Sequence, residues 1–514
     1  MILVWLLLIP FVGGYLCWQS ESISRTLPRW IALGSMLIVM FLSFYIWATG
    51  DFTLMKPGEA PHWTIEFQAR WIPSFGISFH LAMDGLALLL VVLTNVLGVM
   101  AVVCSWREID RYVGFFYLNL LWNLGGVAGV FLANDLFLFF FLWEMMLVPM
   151  YFLIALWGHT IPGGRTRVYS ATKFFLFTQA SGLVMLLAIV ALVYLHYQGT
   201  GQWSFDYLDI LNTARGLPPE TAWWLMLGFF IAFAVKMPIV PFHTWLPDAH
   251  SQAPTAGSVD LAGILLKTAA YGMLRFALPF FPEASHAFAP VAMWLGVLGI
   301  IYAGVVAFSQ TDIKRFIAYT SISHMGFVVI GIYSGSELAM QGVVVQMIAH
   351  GISAGALFIL CGEIYERLHT RDLREMGGLW ARFPYLPPIM LFFSAASLGL
   401  PGLGNFVGEF MILFGSFKVN WLVTVVAATG LVLAAAYSLI LVQKAFHGRP
   451  RDDGHTGLYE DLTSRELVMM ISLMLITLAL GLYPQPVLDA SSATIKAVEF
   501  YYNGSVASTA GVVP

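Results

Sequence analysis

The stretch LGFFIAFAVKMPIVPFHTWLPDAH covers residues 227–250. It begins as apolar helix, meets Lys236, and then runs into Pro238, Pro241 and Pro247. A proline has no N–H to give the helix, and its ring crowds the preceding turn, so the helix ends beside the lysine. The carbonyl of Ala234 is expected to lose its helical partner there. A lysine in the last intact turn faces the negative end of the helix dipole, where a cation is favoured. The stretch therefore predicts a helix broken on purpose, with a charge held at the break.

The surroundings decide what kind of helix this is. Of 514 residues, 59% are hydrophobic and only 11% are charged, whereas soluble domains carry about 25% charged residues. Apolar runs of about 20 residues, each long enough to cross a bilayer as a helix, recur along nearly the whole chain. Fourteen candidate spans lie near 1–19, 29–48, 78–104, 112–131, 134–157, 170–197, 221–242, 256–281, 288–308, 313–334, 338–365, 384–416, 420–444 and 466–488. The fold class is thus an all-α polytopic membrane protein. The first run, MILVWLLLIPFVGGYLCW, lacks a basic flank and a cleavage site and reads as the first span. A net charge of −4 with no basic patch gives no footing for nucleic acid. Cys17, Cys104 and Cys361 lie far apart in apolar runs, without metal or redox spacing, and read as packing residues. No haem motif, GxGxxG or P-loop is present.

Charge sets the topology. With both termini outside, the odd-numbered loops face the cytoplasm and hold seventeen Lys and Arg, against five in the outer segments. This is the bias of the positive-inside rule. Three cations remain inside spans: Lys236, Lys267 and Arg275. Arg275 sits near the outer end of span 8, where it can snorkel to the headgroups. Asp84 and Asp135 lie near span ends and read as structural. Glu108 and Asp110, beside Arg107 and Arg111, read as a surface cluster. His243 and His250 flank the link from span 7 to span 8, where a cytoplasmic entry and a solvated loop are equally open.

Six ionisable residues stand at membrane depth: Glu144, Lys236, Lys267, His324, His350 and Glu409, each in a different span. A charge at a helix centre costs roughly 2.5–3.5 kcal/mol on insertion scales. Buried ion pairs are poor stabilisers, so packing alone does not account for six, and ionisable groups at this depth mark proton relays. A passive scaffold is the alternative that such a line argues against. Span 12 contains a second break, LGLPGLGNFVGEF at 398–410. With Asn405 as N-cap, Glu409 falls in the first turn of the second half, at the positive end of its dipole. The two breaks are five spans apart. Spans 4–8 and 9–13 then form two five-helix units, the second inverted, with paired broken helices 7 and 12. The segments become 1–110, 111–282, 283–447 and 448–514. Energies fit a pump. Two unit charges 4 Å apart interact by about 4 kcal/mol at a dielectric near 20, and one proton moved against about 200 mV costs about 4.6 kcal/mol.

The stretch VKMPIVPFHTWLPDAHSQAPTAGSVDLAGILLKTAAYGMLRF (235–276) resembles the antiporter-like subunits of the proton-pumping NADH:quinone oxidoreductase, respiratory complex I. LWEMMLVPMYFLIALWG (142–158), TDIKRFIAYTSISHMGF (311–327) and PGLGNFVGEF (401–410) carry the same resemblance, which runs through nearly all of the chain. It implies a proton channel built on Glu144 in span 5, Lys236 in broken span 7, Lys267 in span 8 and Glu409 in broken span 12, with His324 and His350 as central linking groups. Most relatives carry a lysine where this chain has Glu409, which singles out one branch of the family. The resemblance also implies a bacterial inner-membrane location, neighbouring antiporter-like L and N subunits, and surrounding lipid. FMN, iron–sulfur clusters and quinone would then belong to partner subunits, with no cofactor in this chain. A multisubunit sodium/proton antiporter and a membrane-bound hydrogenase complex share the pattern and are the rival readings.

Overall fold

The computed structural model describes residues 1–52, 63–160, 165–448 and 460–510. Lys56, Arg449 and Arg451 of the charge count lie outside the described residues. Among the described residues, twelve helices are long and apolar enough to cross a membrane. They run Ile2–Ser20, Leu27–Thr49, Gly85–Glu108, Val113–Leu132, Leu136–Trp157 and Arg167–Thr200 as spans 1–6, then Thr255–Phe280, Pro282–Phe308, Ile313–Tyr333 and Glu337–Leu368 as spans 8–11, with Trp421–Phe446 and Ser464–Leu482 as spans 13 and 14. Span 7 is Pro219–Lys236, continued beyond its break by Trp245–Gln252. Span 12 is Leu386–Ser397, a turn, and Gly404–Phe417. All fourteen expected spans are therefore present.

Burial is uneven in an informative way. Every residue of the most apolar window of span 8 is buried, as are 94% of those in spans 10 and 11, against 33% in spans 2 and 14. Spans 8, 10 and 11 form the centre, and they carry Lys267, His324 and His350. The charges are concentrated where neither lipid nor water reaches a side chain directly.

The loops sort into two ends. At one end Asp248, from the link between spans 7 and 8, pairs with Arg165 before span 6, with Lys173 at 2.8 Å, and with Arg315 in span 10 at 2.6 Å. At the other end His80, Asn134 and Asp206 meet, drawn from the links before spans 3, 5 and 7. Three odd links thus meet at one place and three even links at another.

Four expectations are corrected. Span 3 begins at Gly85, because Ile65–Ile72 and Ile77–Met83 form an antiparallel hairpin; their high proportion of apolar residues imitates a helix start. A further helix, Gln485–Ala510, follows span 14 where an outer tail was expected. Arg275 does not snorkel: it is 4% exposed and paired with Asp84, which also caps span 3 by accepting from Ala87 N–H at 2.9 Å. Glu108 is not a surface group. Its carboxylate accepts the Thr255 N–H at 3.0 Å, satisfying the first turn of span 8, and meets His159 at 3.2 Å. Burial pulls the His159 pKa down more than Glu108 raises it. The three cysteines are buried and free.

Candidate functional site: a line of buried charges

The break in span 7 forms as the prolines dictate, but its carbonyls are not left bare. The Ile239 N–H donates to the Ala234 carbonyl at 2.8 Å, and the Trp245 indole N–H donates to that of Val235 at 2.8 Å. The helix closes with a six-to-one hydrogen bond of the kind that ends many helices. Ala234 thereby keeps a partner, contrary to expectation, because the chain wraps back after Met237 instead of leaving the axis.

Lys236 is 1% exposed, and its ammonium has no hydrogen-bond partner among the described residues. Its Nζ lies over the ring of Trp143, 4.8 Å from the centroid, a cation–π contact. Glu144, next in sequence to that tryptophan, and Asp260 both act on Lys236 electrostatically. Glu144 stands at a break of its own. Span 5 is interrupted at Met146, so Leu136–Met145 and Leu147–Trp157 are separate helical segments. The two carboxylate oxygens of Glu144 are buried, with Gln179 of span 6 the polar side chain that acts on them. Gly182 of span 6 makes their space, since a Cβ there would meet Glu144 Oε1 at 2.0 Å.

Span 8 is irregular on both sides of its lysine. Leu261–Leu265 and Met273–Ala277 are π-helical turns, a feature frequent at functional sites. Lys267 is fully buried, donates to the Ala262 carbonyl, and meets His350 Nδ1 at 2.8 Å. The rings of His350 and His324 are 5.6 Å apart. His324 Nδ1 meets Glu409 Oε1 at 2.7 Å, and its Nε2 lies 3.1 Å from Ser397 Oγ and 3.0 Å from the Tyr437 hydroxyl. Gln346 donates to Glu409 Oε1 at 2.8 Å. Lys267 thus meets His350, His324 meets Glu409, and the two pairs adjoin through their histidine rings.

The second half of span 12 starts two residues earlier than expected. Leu403 is the N-cap, Asn405 lies inside the helix and makes no cap bond, and Glu409 falls in the second turn. What holds Glu409 is therefore His324 and Gln346 more than the helix dipole.

The six residues picked from sequence fall in two groups: Glu144 with Lys236, and Lys267 with His350, His324 and Glu409. Sequence reading missed Asp260, Asn123, Gln346, Ser397 and Tyr437. Asp260 was legible, as a carboxylate seven residues before Lys267 in an apolar run. The others are polar but uncharged, and such residues are too common in spans to be selected. His250 is fully buried and stacks on Phe358 at 4.4 Å, and His243 is 4% exposed, so neither is a solvated loop residue.

Comparison with known proteins places this geometry. Residues 133–434 match the family described as NADH:quinone oxidoreductase/Mrp antiporter, TM. NADH-quinone oxidoreductase subunit M of Pseudomonas aeruginosa is 64% identical over 513 residues, covering 99% of this chain and 100% of that protein. The protein of the same name from Escherichia coli is 61% identical over 509 residues, with 99% and 100% covered. A chain in the structure of respiratory complex I from Thermus thermophilus with bound NADH superposes with a TM-score of 0.85 at 28% identity, covering 98% of this chain and 100% of that one.

Proposed function

Because the chain belongs to the NADH:quinone oxidoreductase/Mrp antiporter transmembrane family, and within it to the group of NADH-quinone oxidoreductase subunit M, we propose that it carries protons across the membrane along Glu144, Lys236, Lys267, His350, His324 and Glu409. It is a multi-pass membrane subunit of the complex I enzyme. Its part is proton transport; electrons, FMN, iron–sulfur clusters and quinone belong to partner subunits. Its immediate neighbours are the antiporter-like L and N subunits and lipid. Both termini face the periplasm, following the charge bias. Residues 111–282 and 283–447 act as the two inverted five-helix units, after the N-terminal segment 1–110 and before the closing segment 448–514.

The observation that carries this reading is the pairing of Lys267 with His350 and of His324 with Glu409, with the two histidine rings 5.6 Å apart between centroids. A histidine accepts a proton on one ring nitrogen and gives it from the other; His350 Nε2 has no hydrogen-bond partner among the described residues while both His324 nitrogens are engaged, so a ring must turn for the proton to cross between them. The other end works differently. Glu144 keeps Lys236 protonated while the two are close; separating them weakens that hold and sends the proton toward Lys267. Two relatives named subunit M at 61% identity or more favour this over the sodium/proton antiporter reading, which would make the flux depend on sodium.

The test is Lys236→Ala in its native membrane. Assembly is confirmed first, and NADH-driven proton uptake and NADH:quinone turnover are then recorded in inverted vesicles. Loss of both in an assembled complex is the expected result. Both at normal levels would make the charge line structural and overturn the proposal.

A further inference from the structure

Asp260 enters no step of the relay above, yet it is the most deeply placed carboxylate beside Lys236. It is 0% exposed, as is Asn123 of span 4, whose amide donates to Asp260 Oδ2. Its other oxygen, Oδ1, is buried without a hydrogen-bond partner among the described residues, and so is Asn123 Oδ1. A carboxylate present only to join span 4 to span 8 would have both oxygens satisfied, since an unpaired buried acceptor destabilises the fold. Here one oxygen is fixed by an amide and the other is kept open in a buried setting. The cation that acts on it electrostatically is Lys236.

The position in the chain adds to this. Asp260 is followed at once by the π-helical turn Leu261–Leu265, and Lys267 reaches back over that turn to the Ala262 carbonyl. Seven residues, about 10 Å along a helix, separate Asp260 from Lys267. Two carboxylates, Glu144 on span 5 and Asp260 on span 8, thus act on Lys236 electrostatically, and among the described residues it hydrogen-bonds neither. Only one of the two is on the helix that carries the next lysine.

We infer that Asp260 is a further proton-carrying residue, the second carboxylate of the Lys236 switch: when Glu144 withdraws, the Lys236 ammonium turns to Asp260 and gives its proton to Oδ1, from which it passes to Lys267. Asn123 is a positioning residue that holds Oδ2 so that Oδ1 faces Lys236. The step moves one proton from nitrogen to oxygen, leaving a neutral lysine and a neutral carboxylic acid. This inference rests on the proposed relay through Lys236.

The experiment uses the assembled enzyme in inverted membrane vesicles, with Asp260→Asn, Asp260→Glu, Asn123→Ala and Lys236→Ala side by side. NADH-driven proton uptake and quinone turnover are followed from acid to alkaline pH. Asp260→Asn is expected to lower uptake at least about tenfold, on the scale of lost proton-transfer groups, with Asp260→Glu recovering much of the loss. Asn123→Ala keeps the carboxylate and is expected to shift the pH profile. If Asp260→Asn pumps at the normal rate with an unchanged profile while Lys236→Ala is inactive, Asp260 is structural and this inference falls, although the relay stands. Normal pumping by Lys236→Ala overturns both. Should Asp260→Asn fail to assemble, Asn123→Ala decides: a shifted profile supports the role and an unchanged one overturns it.

Discussion

The breaks in spans 7 and 12 are built alike and hold their charges in opposite ways. In each, a backbone N–H reaches back to the carbonyl five residues earlier: Ile239 to Ala234 at 2.8 Å and Leu400 to Ala395 at 3.1 Å. Prolines force the first. In the second, Gly399 and Gly402 take positive φ angles of 80° and 93°, which glycine adopts without steric cost. Matched on that hydrogen bond, Lys236 corresponds to Ser397. Span 7 therefore carries its charge before the break, at the C-terminal end of a half-helix. Span 12 carries a serine there and places Glu409 after the break. The Lys236 ammonium has an aromatic face and two carboxylates that do not hydrogen-bond it, whereas Glu409 Oε1 is gripped by both His324 and Gln346. A charge without a hydrogen bond is free to change partners. A charge held by two donors is fixed in place. Under the proposed relay, switching falls to the span 7 side and directed transfer to the span 12 side.

Glu144→Gln is the harshest trial of that contrast. It removes the near counter-charge of Lys236 and is expected to reduce NADH-driven proton uptake by about a hundredfold, within the usual range for proton-transfer groups, in complexes shown to be assembled. Uptake within twofold or so of normal would move the switch elsewhere. Gln346→Leu trims the Glu409 side more gently. Loss of one hydrogen bond to a charged group costs roughly 1.5–3 kcal/mol, so slower uptake with a shifted pH profile is expected, as His324 still holds the carboxylate. An effect larger than that of Glu144→Gln would reverse the contrast.

The smallest effect lies outside the line, at the even-loop end. His80 is buried between Asp206 at 2.7 Å and Glu66 at 2.6 Å. Burial lowers its pKa, but the hydrogen bonds and charges of Asp206 and Glu66 outweigh this and leave it raised. The sign follows: the contact contributes fully below the unfolded value near 6.5 and is lost as pH rises through the higher folded value. Amide hydrogen exchange in 65–83, corrected for its intrinsic pH dependence, should therefore be better protected on the acid side, and His80→Phe should abolish that dependence. A pH-independent protection factor would show that the clasp does not titrate.

Much of this was written along the chain. Span length and apolar composition follow from bilayer thickness, and the strong bias of cations between alternate loops fixed which spans count. An ionisable residue deep in an apolar run is costly enough to stand out by itself, which is why the six members of the line were legible singly. The hairpin at 65–83 was not, because alternation in a short strand merges with the apolar run that follows it. Nor was the ion pair of Arg275, whose partner Asp84 lies 191 residues away.

Sequence alone determined that Lys236 sits at a break, since proline chemistry acts locally, and that the six charges lie at membrane depth. Only the tertiary structure decided their order: Lys267 against His350, His350 beside His324, and His324 on Glu409. The first and last of these contacts join span 8 to span 11 and span 10 to span 12 across 83 and 85 positions of chain. It also decided which charges are gripped and which are loose, because that depends on uncharged neighbours such as Gln346, Asn123 and Trp143. Nothing in their own stretches of sequence marks them; they matter only through what the packed bundle brings beside them.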